Sequence, residues 1–399
     1  MLFVLGFVLF ALGITISIAL HECGHMWTAQ ATGMKVRRYF IGFGPKVFSF
    51  RRGETEYGVK WLPLGGFCDI AGMTALDELE PEEVDRAMYR QATWKRLVVM
   101  SGGIGMNFLL GFLLIVVLAV GWGLPNLNQP ATGLGNMSCV ASQHPDGTLD
   151  TCTGPGPAQR AGLRRGDVVT AVDGVEVSTW DEFQSLTQEQ TGPFTYTIDR
   201  DGQSMDIQVV PERAMRYPKD GGPGREVGVV GVGQLYIEPT QYGVLSAIPA
   251  SAAFTGEMFI RTVQSLAQMP AKVADLWEAV TGGERDAETP VSIYGASKIG
   301  GETAERGYWN IFIMVLASLN FFLGAFNILP LLPLDGGHIA VVLYEKLRNT
   351  VRGWKGQAPG APVDYLKLLP LTYVAVVIGG AYMMLTLAAD IINPIQLFP

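Results

Sequence analysis

The chain has 399 residues, of which 48% are hydrophobic and only 17% charged, with a formal net charge of −8. Soluble domains carry about 25% charged residues, so this composition, with a mean hydropathy of +0.24, argues for membrane spans joined to a soluble part. It excludes a disordered chain, a disulfide-dense scaffold and a collagen-like fibre, and the acidic balance argues against nucleic acid as a partner.

Leu2–Leu20 holds 19 residues without a charge, close to the roughly 20 that a helix needs to cross a bilayer. A cleaved signal peptide fits poorly: there is no basic n-region, and the run passes directly into His21-Glu22. A retained span is therefore expected over residues 1–33. In the loop 34–96, Lys46–Arg51 and Thr55–Leu62 flank the turn Arg52-Gly53-Glu54 and read as a β-hairpin. Its apolar side chains (Val47, Phe48, Phe50, Val59, Trp61, Leu62) suit association with the membrane, and an open strand edge can capture an unwound peptide by β-addition. The acidic stretch Asp77–Asp85 reads as a solvated face. Leu97–Gly121 is the second apolar run, giving a span over 97–124.

Within 125–215, Pro157–Pro211 reads as a small β-rich domain. A short helix is expected over Ala158–Leu163, a strand over Asp167–Val172, a helix over Trp180–Glu189, and a hairpin of Thr195–Asp199 with Met205–Val210 about Asp201-Gly202. The pattern Pro157-Ala158, Ala161-Gly162-Leu163, Gly166-Asp167-Val168-Val169, Val172-Asp173-Gly174 resembles the PDZ domains attached to bacterial proteases, a resemblance that implies capture of an extended peptide along a strand edge. Residues 216–307 read as a linker with amphipathic helices. In it, Gln241–Gly283 has helical periodicity without the apolar length to span, so a surface position and a capping position both fit. Trp309–Leu334 is the third apolar run, broken by Asn320, Asn327, Pro330 and Pro333, and gives a span over 308–343. A loop over 344–369 leads to the fourth, Leu371–Ala389, within 370–399. The expected fold class is thus a polytopic α-helical membrane protein with four spans.

Basic residues orient it. Lys35–Arg96 has 11 basic and 9 acidic residues and Tyr344–Lys367 has 5 and 2, against 13 and 23 in Pro125–Gly307. The positive-inside rule puts the two shorter loops in the cytoplasm and the long acidic segment, with both termini, outside. Cys139 and Cys152 both fall in that external segment, 13 positions apart, where a bridge closing a loop of this size is worth ~3 kcal/mol. Cys23 and Cys68 lie on the reducing side.

Three of the four histidines (His21, His25, His338) sit at the ends of apolar runs, and ionisable groups at membrane depth are costly enough to be functional by default. His21-Glu22-Cys23-Gly24-His25 is an H-E-x-x-H motif: on a helix the two imidazoles stack on one face and can share one metal ion, while Glu22 lies one position round. Zinc suits imidazole, and a catalytic zinc takes three protein ligands and leaves a position for water, whose proton Glu22 can take. For the third ligand, both Asp335 and His338 lie near the end of the third run.

His21-Glu22-x-x-His25, with Asn327-x-x-Pro330 and Asp335-Gly336, resembles the site-2 protease family of intramembrane zinc metalloproteases. So do Gly42-Phe43-Gly44-Pro45, Pro63-Leu64-Gly65-Gly66-Phe67 and Gly72-Met73. The resemblance covers nearly the whole chain and is closest to the actinobacterial members that regulate intramembrane proteolysis. It implies one zinc ion on His21, His25 and Asp335, Glu22 as the catalytic base, and Asn327 holding the substrate backbone. Asn107 falls at the asparagine of the family's Gly-Pro-x-x-Asn motif, here Gly103-Ile104-Gly105-Met106-Asn107 without its proline, and is grouped with Asn327 as substrate-binding. The implied substrate is a single-span membrane protein already trimmed outside, such as an anti-sigma factor, with the PDZ domain excluding untrimmed ectodomains or binding a new carboxyl end. A metal transporter also places His and Asp in a membrane, but needs no non-ligating Glu22. A catalytically silent PDZ receptor would tolerate its loss.

Overall fold

The computed structural model of the chain describes residues 1–217, 222–283, 285–286, 288–395 and 397. Its contacts form two compact units, residues 1–124 with 241–398, and residues 125–240. Among the described residues, four helices are long and apolar enough to cross a membrane: Leu2–Ala31, Thr93–Gly121, Trp309–Ile328 and Leu369–Ile392.

In the first unit, α1 (Leu2–Ala31) buries Phe10, Ile14, Ser17, His21 and His25, a stripe recurring every three or four residues. Leu5, Val8, Leu9, Leu12 and Ile16 stay exposed around it, as lipid-facing residues must. β1 (Val36–Arg52) and β2 (Thr55–Ile70) pair antiparallel, and both bend: Phe40 pairs with Gly58 on one side and with Phe67 on the other. The pairing therefore reaches well past the tip hairpin read from sequence, and the segment around Phe67 and Cys68 becomes a sheet edge. α2 (Thr93–Gly121) then crosses α1 where Gly24 and Gly102 meet. A Cβ on either glycine would collide with the other's carbonyl, so the crossing brings the two backbones together as small residues allow in membranes.

The segment between β2 and α2 is tied down by charge. Glu83, its side chain 3% exposed, accepts from Arg37 Nε at 3.0 and 3.1 Å and pairs with Lys35 Nζ at 3.1 Å. Arg37 also lies 3.3 Å from Asp77, whose Oδ2 accepts from Gly72 N at 2.7 Å. Arg37 foremost, then Lys35, pulls the Glu83 carboxyl down from 4.5 to about 2. The folded value lies below the unfolded one, so this stabilisation is complete above about pH 4.5 and is lost as the pH falls toward 2. Glu83→Gln is expected to cost roughly 2–3 kcal/mol, less than breaking a fully buried pair because Arg37 keeps contact with water. Thermal unfolding at pH 7 and limited proteolysis within 72–92 measure it, and lowering the pH to about 3 should narrow the gap between the variant and the parent.

The second unit is β-rich. Its elements are β3 (Leu134–Met137), α3 (Pro157–Arg160), β4 (Val168–Val172), β5 (Val175–Glu176), α4 (Trp180–Glu189), β6 (Phe194–Arg200), β7 (Gln203–Val209), β8 (Glu212–Arg216), β9 (Arg225–Val229) and β10 (Val232–Gln234). A four-stranded sheet runs β5-β4-β6-β7, with β8-β9 and β10-β3 as antiparallel pairs. Alternate residues of β6 (Phe194, Tyr196, Ile198) enter a core with Leu134, Phe183 and Val230, as a half-buried strand requires. The β6–β7 turn holds Asp201 at φ 56° and Gly202 at φ 81°, the left-handed pair that Asp-Gly supplies to a tight hairpin. α4 opens with a capping box between Thr179 and Glu182. Val230 accepts from Ala158 N at 2.9 Å, so residues well past 215 fold with this unit. Cys139 and Cys152 are bridged, Cα atoms 5.8 Å apart, on the wall of a cavity of about 560 Å³ shared with Trp180, Phe183 and Val230.

The chain returns to the first unit at Gln241. Tyr242 N donates to Ala119 O at 2.9 Å, and α5 (Val244–Gln268) runs back along α2 until Phe259 meets Phe108, ring centres 5.6 Å apart. α6 (Lys272–Thr281) climbs along α10 (Leu369–Ile392): Tyr382 Oη donates to Met269 O at 3.3 Å and Asn393 Nδ2 to Gly283 O at 3.0 Å. This helical pair lies alongside the spans, a placement that periodicity alone leaves open. α7 (Ile293–Glu305) packs its small residues on α1, with Gly300 against Phe10. Asp390, a lone acid in the sequence of the fourth run, is an anchor: Oδ1 accepts from Arg285 at 2.8 Å and Oδ2 from Ser292 N at 2.6 Å.

The span expected over 308–343 is two helices. α8 (Trp309–Ile328) ends where Pro330 and Pro333 remove donors and ring space, and α9 (Asp335–Trp354) starts afresh with Asp335 as its first residue. α9 carries the chain through much of the stretch read as a loop from 344. It is pinned at Glu345, which accepts from Arg96 Nη1 at 2.6 Å and from Val363 N at 2.7 Å.

Candidate metal centre

Four segments meet at one point in the first unit. α1 presents His21 and His25 from successive turns, and the chain break before α9 brings Asp335 opposite them. His21 Nε2 and His25 Nε2 lie 3.2 Å apart, and each lies 3.2 Å from Asp335 Oδ2. Three donors on a nearly equilateral triangle suit one ion, since tetrahedral ligands at 2.0–2.1 Å from zinc lie about 3.3–3.4 Å from one another. Asp335 Oδ2 is buried and has no aligned hydrogen bond among the described residues, which is the condition of a group waiting for a cation. Two nitrogens and one carboxylate oxygen also match the chemistry of a hydrolytic zinc site.

α2 builds the other wall. His25 Nδ1–H donates to Val99 O at 2.8 Å, and Asn107 Nδ2 lies 3.1 Å from His21 Nδ1. Between them on the same face, a Cβ on Gly103 would fall 2.7 Å from His21 Nε2 and closer still to His25 Nε2. Glycine is what lets both rings turn toward the triangle. Glu22 leaves the ligand triangle free. Its side chain lies against Gly66 of β2, two residues from Cys68 on the same strand.

The remaining sequence candidates separate. His338 is not in the triangle: its Nδ1 is 3.2 Å from Tyr365 Oη, with the two rings stacked. Asn327 Nδ2 donates to Leu323 O of its own helix at 3.0 Å. Asn107, grouped with the substrate-binding residues on sequence grounds, reaches His21. The disulfide cysteines belong to the second unit and not to this centre. What sequence reasoning missed is the support: Val99, Gly103 and the edge at Cys68. One signal was available, because Val99, Gly103 and Asn107 are four apart and share a helix face.

With this geometry in hand, comparison with known proteins is specific. A family model described as peptidase family M50 matches residues 9–371. Over the full length of both chains the protein is 52% identical to the zinc metalloprotease Rip1 of Mycobacterium tuberculosis and 50% identical to that of Mycolicibacterium smegmatis. It is also similar, at 25% identity over 94% of each chain, to the regulator of sigma-W protease RasP of Bacillus subtilis.

Proposed function

Because the chain belongs to peptidase family M50, the site-2 protease family of membrane-embedded zinc metalloproteases, we propose that it hydrolyses a peptide bond within the transmembrane segment of single-span membrane proteins. The observation that carries this reading is the triangle of His21, His25 and Asp335, its histidines in the C-terminal half of the apolar helix α1, with a carboxylate, Glu22, beside it and outside it. An ion carrier has no use for that carboxylate.

His21, His25 and Asp335 would hold the zinc ion, which when bound supplies Lewis acidity toward a peptide carbonyl and toward water. Glu22 takes the proton of the attacking water on its carboxylate and passes it to the amide nitrogen that leaves. The edge of β2 at Cys68 lies beside Glu22, so a substrate strand added there would arrive with its carbonyls next to the base; β-addition also gives an unwound helix somewhere to place its freed N–H groups. Asn327, at the end of α8, holds the substrate backbone.

The basic loops 34–96 and 344–369 face the cytoplasm, and both termini and residues 125–240 face outward, where the bridge between Cys139 and Cys152 is chemically at home. The second unit acts as a PDZ domain. Its four-stranded sheet, its capped helix α4 and the cavity against β9 and β10 supply a groove for an extended peptide or a new carboxyl end. Since the similar protease of Bacillus subtilis is described as a regulator of sigma-W, the substrates we propose are anti-sigma factors trimmed outside by another protease, in transmembrane signalling.

The test uses the purified full chain in lipid vesicles with a single-span substrate, supplied with and without its ectodomain. We expect cleavage of the trimmed form only, loss of cleavage on chelation, and recovery with added zinc. Cleavage that survives complete metal removal overturns the enzymatic reading, and equal cleavage of both substrates overturns the filtering role of the second unit.

A further inference from the structure

The two histidines of the triangle are held differently through their outer nitrogens. His25 Nδ1 faces the carbonyl of Val99 at 2.8 Å. A carbonyl only accepts, so His25 Nδ1 carries the hydrogen and Nε2 is left bare for an ion. His21 Nδ1 faces the side-chain amide of Asn107 at 3.1 Å. An amide presents a donor or an acceptor according to which way it is turned, and its oxygen and nitrogen occupy nearly the same space. With Nδ2 toward the ring, Asn107 donates, and the hydrogen of neutral His21 is forced onto Nε2, into the triangle. With Oδ1 toward the ring, Asn107 accepts, and Nε2 is bare.

Asn107 is 1% exposed, and its Oδ1 has no hydrogen-bond partner among the described residues. Among the described residues, Asn107 is the group that faces His21 Nδ1. Val99, Gly103 and Asn107 stand on one face of α2, so a single helix supplies both outer partners and the gap between them.

We propose that Asn107 is the positioning residue of His21: with its side-chain oxygen accepting from Nδ1–H, it fixes the imidazole in the tautomer and orientation that bind the metal ion. This rests on the reading of His21, His25 and Asp335 as a zinc site. It assigns Asn107 a role through His21 and none in holding substrate. Partners of this kind change metal affinity by about 10–100-fold when removed.

The experiment uses the full-length protein and two variants, Asn107→Leu, which keeps the volume and removes the acceptor, and Asn107→Asp, which can only accept when ionised. Zinc affinity is measured by competition with a chromophoric chelator, and the ligand field by the visible spectrum of the cobalt-substituted protein. Leucine is expected to weaken zinc binding about 10–100-fold and to alter the cobalt spectrum, while aspartate keeps the affinity within a fewfold of the parent. A metal-free melting temperature close to the parent's assigns the leucine effect to the site. The proposal is overturned if leucine leaves affinity and spectrum unchanged, if aspartate loses as much as leucine, or if leucine keeps its zinc and raises only KM. A parent protein that binds no stoichiometric zinc would instead sink the underlying metal reading.

Discussion

Glu22→Gln is expected to keep one zinc per chain and to lose cleavage by a factor of about 100 to 10,000, the usual contribution of a positioned general base. The two outcomes are separable because Glu22 lies outside the triangle of His21, His25 and Asp335. Glutamine preserves its length, its place against Gly66 and a side-chain oxygen. It cannot hold a proton in transit. Zinc content by elemental analysis and the cleavage rate of a trimmed substrate are measured on the same preparation. Unchanged cleavage would remove Glu22 from the mechanism; a loss of zinc in parallel with activity would make it a ligand.

The second large effect is steric. Gly103→Ala puts a methyl group into the space between the two imidazoles, 2.7 Å from His21 Nε2. Overpacking a tight site costs about 1–3 kcal/mol. Here the soft response is for the rings to swing off the triangle, so the cost falls on metal binding, roughly ten- to hundredfold in affinity. Gly105→Ala is the control, two residues along the same helix with open space where its Cβ would lie. The expected result is a Gly103 variant that binds zinc weakly and a Gly105 variant indistinguishable from the parent in the same chelator titration. Equal affinities for the two would show that the rings have room to spare.

The features legible in the sequence were those that a solvent imposes. A bilayer forbids charge, so the uncharged run ahead of His21 announces a span, and a charged motif that closes such a run announces chemistry. Local turn chemistry was equally plain: Asp201-Gly202 can do little else between two alternating strands. What stayed hidden depends on partners far away in the chain. Nothing near Asn107 says that its amide meets His21, 86 positions earlier. The double pairing of Phe40 with Gly58 and Phe67 needs both strands to bend, and one periodic pattern cannot announce two partners. α9 was hidden because its stripe of Val341, Val342 and Glu345 includes a charge that only Arg96 makes tolerable in a buried place. The choice between Asp335 and His338 turned on a backbone break whose direction no spacing rule records.

The separation of the proposed ligands along the chain also bears on when the centre can exist. His25 and Asp335 are 310 positions apart, so at a synthesis rate of about 5–20 residues per second roughly 15–60 s pass between them. During that interval the nascent chain offers two histidines and no third ligand. On the reading proposed for this centre, a chain truncated anywhere before α9 lacks the carboxylate that closes the triangle, whatever substrates share its membrane.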